Sequence, residues 1–177
     1  NNYKDYGKAL NAHCALVPYD EDWIIIRDQD TMYFPLDHRR LIREATQRYP
    51  DTGVFGAYTN RIGLQWQLVE DQLSDNPSVT DHYQMAKHLE EKYGSECKVI
   101  TQGGIAGFFM MFRKSTWKNV LFNEGDMGNC DVLFDWAFSL KVRDELKLKL
   151  RVIKGLYLFH FYRFHKDVRD TTHIFGE

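Results

Sequence analysis

Asp28 and Asp30 stand one residue apart, directly after the apolar run Trp23-Ile24-Ile25-Ile26. Two carboxylates at that interval offer oxygen ligands to a hard divalent cation, and a cation held there can carry bridging phosphates. Asp20 and Asp22 share the spacing but lie in the polar stretch after Pro18. Context separates the two pairs. A short β-branched run flanked by acidic residues reads as a buried strand, so Asp28 and Asp30 fall at a strand terminus. From spacing and context alone, a solvated turn with Asx hydrogen bonds accounts for them equally well.

Four other features could carry chemistry. Gly103-Gly104-Ile105-Ala106-Gly107-Phe108 places three glycines before an apolar stretch, where the backbone can approach a ligand closely; a tight turn or bulge explains the same string. No helix is expected after these glycines, so they do not make a dinucleotide fingerprint. Asp131 and Asp135 lie four apart around an expected helix start, where either could act as a general base and either could simply suit the first turn. His160 alternates with bulky apolar residues in Leu158-Phe159-His160-Phe161, as a core histidine or a ligand would. His165, in the polar tail beyond it, is a weaker candidate for the same work.

The elements that must position these residues alternate. A helix is expected over residues 3–17, ended by Pro18, then a strand over 23–26. Asp37 reads as the N-cap of a helix over 38–49, with Leu41, Ile42 and Ala45 at apolar spacing, and Pro50 to Gly53 breaks it before a strand over 54–58. Residues 60–94 are polar and helix-forming around a loop at 74–78, and read as a helical insertion over the sheet. Strands are expected at 98–100, 105–112, 150–153 and 157–161, with a helix over about 130–145. This order predicts a single α/β domain over residues 1–177, a doubly wound and mainly parallel sheet flanked by helices. Ligands of such sheets sit beyond the carboxyl ends of strands, where Asp28 and Asp30 fall.

Bulk properties narrow the function classes. The 177 residues are 44% hydrophobic and 27% charged with a net charge of −2, which suits a folded domain and supplies no broad basic surface for nucleic acid. Aromatic residues reach 15%, enough for a thick core and for carbohydrate stacking. Cys14, Cys97 and Cys130 are too few and too scattered for a disulfide framework or a zinc pattern, so a reducing cytoplasm is the expected setting. No apolar stretch is long enough for a transmembrane helix, which leaves membrane association to other means.

Taken in order, the motifs resemble the family-2-like glycosyltransferases of the GT-A fold, including catalytic domains of the polypeptide N-acetylgalactosaminyltransferase type. Gly7-Lys8-Ala9-Leu10-Asn11 is similar to that family's helix before its DxD strand, and Ile24 to Thr31 looks like the strand with its DxD. Gly103 to Phe109 resembles the segment lining the donor–acceptor cleft, residues 117–131 the run into the acidic helix, and Leu158 to Arg163 the late histidine segment. The resemblance implies a metal-dependent transfer of a sugar from a nucleotide diphosphate donor to a hydroxyl on a glycan, lipid-linked or protein acceptor. It implies Mn2+ or Mg2+ held by Asp28, Asp30 and His160, donor contacts from Asp28, Asp30, Gly103 and Gly104, and a base at Asp131. Cys130-Asp131 stands where the family carries an acidic pair, so the base stays open between Asp131 and Asp135. The family's first strand, loop and helix would precede Asn1, which makes an amino-terminally incomplete domain the expectation. A sugar-nucleotide-forming nucleotidyltransferase and a non-catalytic carbohydrate-binding or scaffold domain of the same fold are the rival readings.

Overall fold

The computed structural model describes residues 6–34, 37–124 and 133–161. Among them run α1 (Tyr6–Ala15), β1 (Trp23–Arg27), β2 (Thr31–Tyr33), α2 (His38–Arg48), β3 (Thr52–Thr59), α3 (Val79–Tyr93), β4 (Cys97–Ile100), β5 (Phe109–Arg113), α4 (Lys114–Val120), α5 (Phe134–Asp144) and β6 (Lys149–His160). The strands form one sheet in the order β1-β5-β3-β6-β2, and β4 also pairs with β6.

The expectation of a mainly parallel sheet is corrected: β3 and β6 are a parallel pair, while β1–β5, β3–β5, β2–β6 and β4–β6 are antiparallel. Alternating helices and strands did not enforce parallel neighbours, because β5 inserts in reverse between β1 and β3. Three strands nonetheless share a direction. β1, β3 and β6 all run the same way, so Arg27, Thr59 and His160 end at one rim of the sheet.

β6 is the spine. Eleven of its twelve residues are apolar, small or otherwise buried enough to be covered on at least part of their surface, and only Lys149 is exposed. On one side it takes the length of β3; on the other its first half takes β4 and its last three residues take β2. The changeover falls at Gly155, where a Cβ would lie 2.1 Å from the Gly94 carbonyl oxygen, so only glycine lets the α3–β4 turn approach. The two strands expected at 150–153 and 157–161 are therefore one strand, with its register against β3 shifted between Ala57 and Tyr58.

Helices cover both faces. α2 packs through Ala45 against Phe55, Ala57 and Leu158, whereas α1, α3, α4 and α5 cover Val54, Met110, Phe112, Val152 and Phe159 on the other side. Asp37 begins α2 without a side-chain capping bond; its carboxylate instead accepts from Arg40 Nε at 2.7 Å. In residues 60–94 the helical expectation holds for α3, capped by Ser78 Oγ accepting from the Asp81 amide. The segment around Trp66 forms two short 3-10 turns, Gln65–Gln67 and Val69–Asp71, instead of a helix. No helix among the described residues is long and apolar enough to cross a membrane.

Candidate metal centre

The chain leaves β1 on one side of the sheet and enters β2 on the other within the turn from Asp28 to Asp30. Four strand spacings amount to ~19 Å, whereas the steps from Arg27 to Thr31 reach at most ~15 Å, so the strand ends must converge at this rim. Backbone bonds hold the turn at both ends. The Asp28 amide donates to the Phe108 carbonyl at 3.1 Å, and the Phe161 amide donates to the Asp30 carbonyl at 3.0 Å. Between them Thr31 closes the turn through its hydroxyl, which donates to the Asp28 carbonyl at 2.7 Å.

This geometry brings Asp28 and Asp30 to His160, with one ligand atom from each lying within 4.8 Å of the others. His160 Nε2 is 3.4 Å from Asp30 Oδ1 and 3.8 Å from Asp28 Oδ2. The histidine side chain is 1% exposed and the carboxylates 44% and 43%, so a ligand would enter from the carboxylate side. Asn60 grips the histidine backbone twice, accepting from its amide at 2.7 Å and donating to its carbonyl at 3.1 Å. The imidazole stacks on Phe108, and its Nδ1 lies 2.9 Å from the Arg61 carbonyl. A carbonyl only accepts, so Nδ1 carries a proton, and in the neutral ring Nε2 presents its lone pair toward the two carboxylates.

These residues fit a divalent cation. Ligand atoms about 2.1 Å from a six-coordinate ion lie ~3 to ~4 Å apart, the range in which the Nε2–oxygen distances fall. Two carboxylates suit Mg2+ and Mn2+ alike, while the imidazole favours the first-row transition ion. When Nε2 also carries a proton, its hydrogen bond to Asp30 is the main cause that draws the Asp30 carboxyl below its ordinary pKa. Burial pushes Asp28 the other way, partly offset by His160 and reinforced by the Asp30 charge.

Asp135 stands on the first turn of α5. Its carboxylate accepts from the Gly107 amide and from its own helix's Trp136 amide, both at 2.7 Å. Burial outweighs those donors and raises the carboxyl to about 6, with the Asp28 charge adding to the rise. Tyr6, on α1, feels the same two acids: burial first, then Asp28 and Asp135, raise its hydroxyl. Asp131 and Cys130 lie outside the described residues, as do Arg163 and His165.

The glycine segment behaves differently from expectation. β5 starts only at Phe109, because three successive amides before it are claimed by side chains. Ile105 donates to Ser139 Oγ at 3.0 Å, Ala106 to Gln67 Oε1 at 2.7 Å and Gly107 to Asp135 Oδ2. Gly103 and Gly104, expected as donor contacts, have Trp66, Trp136 and Ser139 as the nearest neighbours of an added Cβ. At Gly7 an added Cβ would sit 1.7 Å from the Asn123 carbonyl oxygen, and one turn on, Asn11 bonds Phe122, Glu124 and Trp117. The Gly7–Asn11 pair is thus a clamp that fixes residues 122–124 against α1.

Sequence reasoning missed Asn60, Gln67, Ser139 and Tyr6. Asn60 carries a legible signal, a polar residue directly after a strand that is buried throughout. The other three act through contacts distant in sequence. No protein-family model matches this chain, and no curated protein matches it.

Proposed function

We propose that the chain is a metal-dependent glycosyltransferase domain that moves a sugar from a nucleotide diphosphate donor to a hydroxyl acceptor. The observation that carries this reading is the meeting of Asp28, Asp30 and His160 at one sheet rim, from strand ends far apart in sequence. Asp28, Asp30 and His160 Nε2 would hold Mn2+ or Mg2+, and the bound ion would supply positive charge against a departing diphosphate. Asp135 is the base in this reading. Its carboxyl, raised to about 6 and held by the Gly107 amide, is largely ionised at neutral pH yet basic enough to take a proton. It would remove the acceptor hydroxyl proton as that oxygen bonds to the anomeric carbon, while the carbon–diphosphate oxygen bond breaks and its electron pair leaves with the diphosphate. A carboxylate acting as base, with no covalent sugar–enzyme bond, gives inversion at that carbon.

The test is Mn2+-dependent hydrolysis and transfer with a panel of uridine and guanosine diphosphate sugars, before and after Asp30→Ala. Turnover that requires the ion and disappears in the variant supports the reading. Equal binding and turnover in both proteins rejects it, and pyrophosphate release from sugar phosphate plus nucleoside triphosphate would mark a nucleotidyltransferase instead.

A further inference from the structure

Trp66 and Trp136 come together over Gly103 from separate elements, a 3-10 turn and the first turn of α5. Their rings are 6.0 Å apart and inclined at 53°. Gly103 has φ of 73°, and a Cβ there would lie 2.4 Å from Trp66 Cη2 and 3.0 Å from Trp136 Cη2. The backbone beneath the indoles must therefore be glycine on two independent grounds, conformation and space. Both residues are only partly buried; Trp66 packs against the buried core, and Trp136 belongs to neither core cluster.

The pair is also held in place. Trp66 Nε1 donates to the Gly104 carbonyl at 2.8 Å, and Arg143 donates to the Gly103 carbonyl at 3.0 Å. Fixed, inclined and partly exposed indoles offer π faces at low ordering cost to a ring that has one apolar face and a polar periphery. A pyranose has that form: its axial C–H face suits an indole, and its hydroxyls make the polar periphery. Trp136 directly follows Asp135 on α5, and the two contact opposite ends of one segment, Trp136 at Gly103 and Asp135 at Gly107.

We propose that Trp66, Trp136 and Gly103 form a saccharide-stacking subsite that receives the acceptor as a pyranose ring, an inference that rests on the transferase reading for its role but not for the binding itself. The acceptor class is then a glycan or glycoside, in preference to a bare protein hydroxyl or a linear polyol.

The experiment titrates the full chain with methyl β-glucoside, methyl β-galactoside and methyl β-N-acetylglucosaminide while following tryptophan fluorescence, with mannitol as a polyol lacking a pyranose face. Mn2+ binding is measured in parallel. Saturable quenching by at least one glycoside and none by mannitol is expected, weakened about tenfold by Trp136→Ala and by Gly103→Ala and less by Trp136→Phe, which keeps a ring. Circular dichroism identifies any variant that fails to fold, and the wild-type titration with mannitol decides the point without variants. Absence of saturable quenching by every glycoside overturns the subsite, as does equal quenching by mannitol or unchanged affinity in a folded Trp136→Ala. Glycoside binding without Mn2+ binding leaves the subsite standing and removes the metal-dependent reading; Mn2+ binding without glycoside binding does the reverse.

Discussion

The Asp135 carboxylate accepts the Gly107 amide at 2.7 Å, so the first turn of α5 and the strand-entry glycine segment are one mechanical unit. Phe108, the next residue, stacks on His160. One of the two candidate bases and the candidate metal ligand are thus held through two adjacent residues of a single segment.

Asp135 gives a pH signature of definite sign. Its folded-state carboxyl is raised from 3.8 to about 6, so folding favours its protonated form. The associated stability is fully present below the ordinary value and is lost as pH rises through about 6, by up to roughly 3 kcal/mol. Asp135→Asn removes this titration. Urea melts from pH 4 to pH 7.5 should show a flatter stability profile in the variant than in the wild type. Turnover, in the proposed role, should rise through about pH 6 in the wild type and fall on the order of 10²- to 10⁴-fold in the variant.

Mn2+ should raise the melting temperature. At a hundredfold excess over Kd, binding confined to the folded state contributes about 2.7 kcal/mol, or roughly 5–10 °C for a domain of this size. Asp30→Ala and His160→Ala should each abolish most of the shift, and an unchanged shift in either would remove that residue from the metal set.

Asn60 is not one of the three candidate ligands, yet it holds both backbone polar groups of His160. Asn60→Ala should weaken Mn2+ affinity about 10- to 100-fold, the usual consequence of losing a residue that orients a ligand. Calorimetric titration would read it directly.

The clamp on α1 should be costly to break. Asn11 Oδ1 accepts from Trp117 Nε1 and the Phe122 amide, and its amide group donates to the Phe122 carbonyl and Glu124. Asn11→Ala leaves those groups without their partner and should cost on the order of 2–4 kcal/mol by denaturant unfolding. Gly7→Ala should be at least as damaging, since its Cβ would meet backbone and not a yielding side chain.

Local patterns made β1, α2 and β3 legible: a β-branched run, apolar residues at Leu41, Ile42 and Ala45, and a strand bounded by turn residues. β2 was not, because Thr31–Tyr33 has too few residues for a period and exists through pairing with Leu158 to His160. The helix expected around Trp66 gave way to 3-10 turns whose Gln67 serves the Ala106 amide, a partner that no window of sequence contains. Asp28, Asp30 and His160 were readable as types at strand ends, whereas their convergence depends on where β5 inserts. The reversed β5 likewise defeated the parallel expectation, since strand direction is set by pairing and leaves no mark in an apolar run.

The three-residue β2 has a kinetic consequence. Thr31 pairs with His160 at the outermost position of the sheet, next to Asp30. A strand that short opens at far smaller free energy than β3 or β6, so amide protons at Thr31 to Tyr33 should exchange by local fraying while the rest of the sheet stays closed. Each such opening would separate Asp30 from His160, and ion release would follow the breathing of one edge without global unfolding.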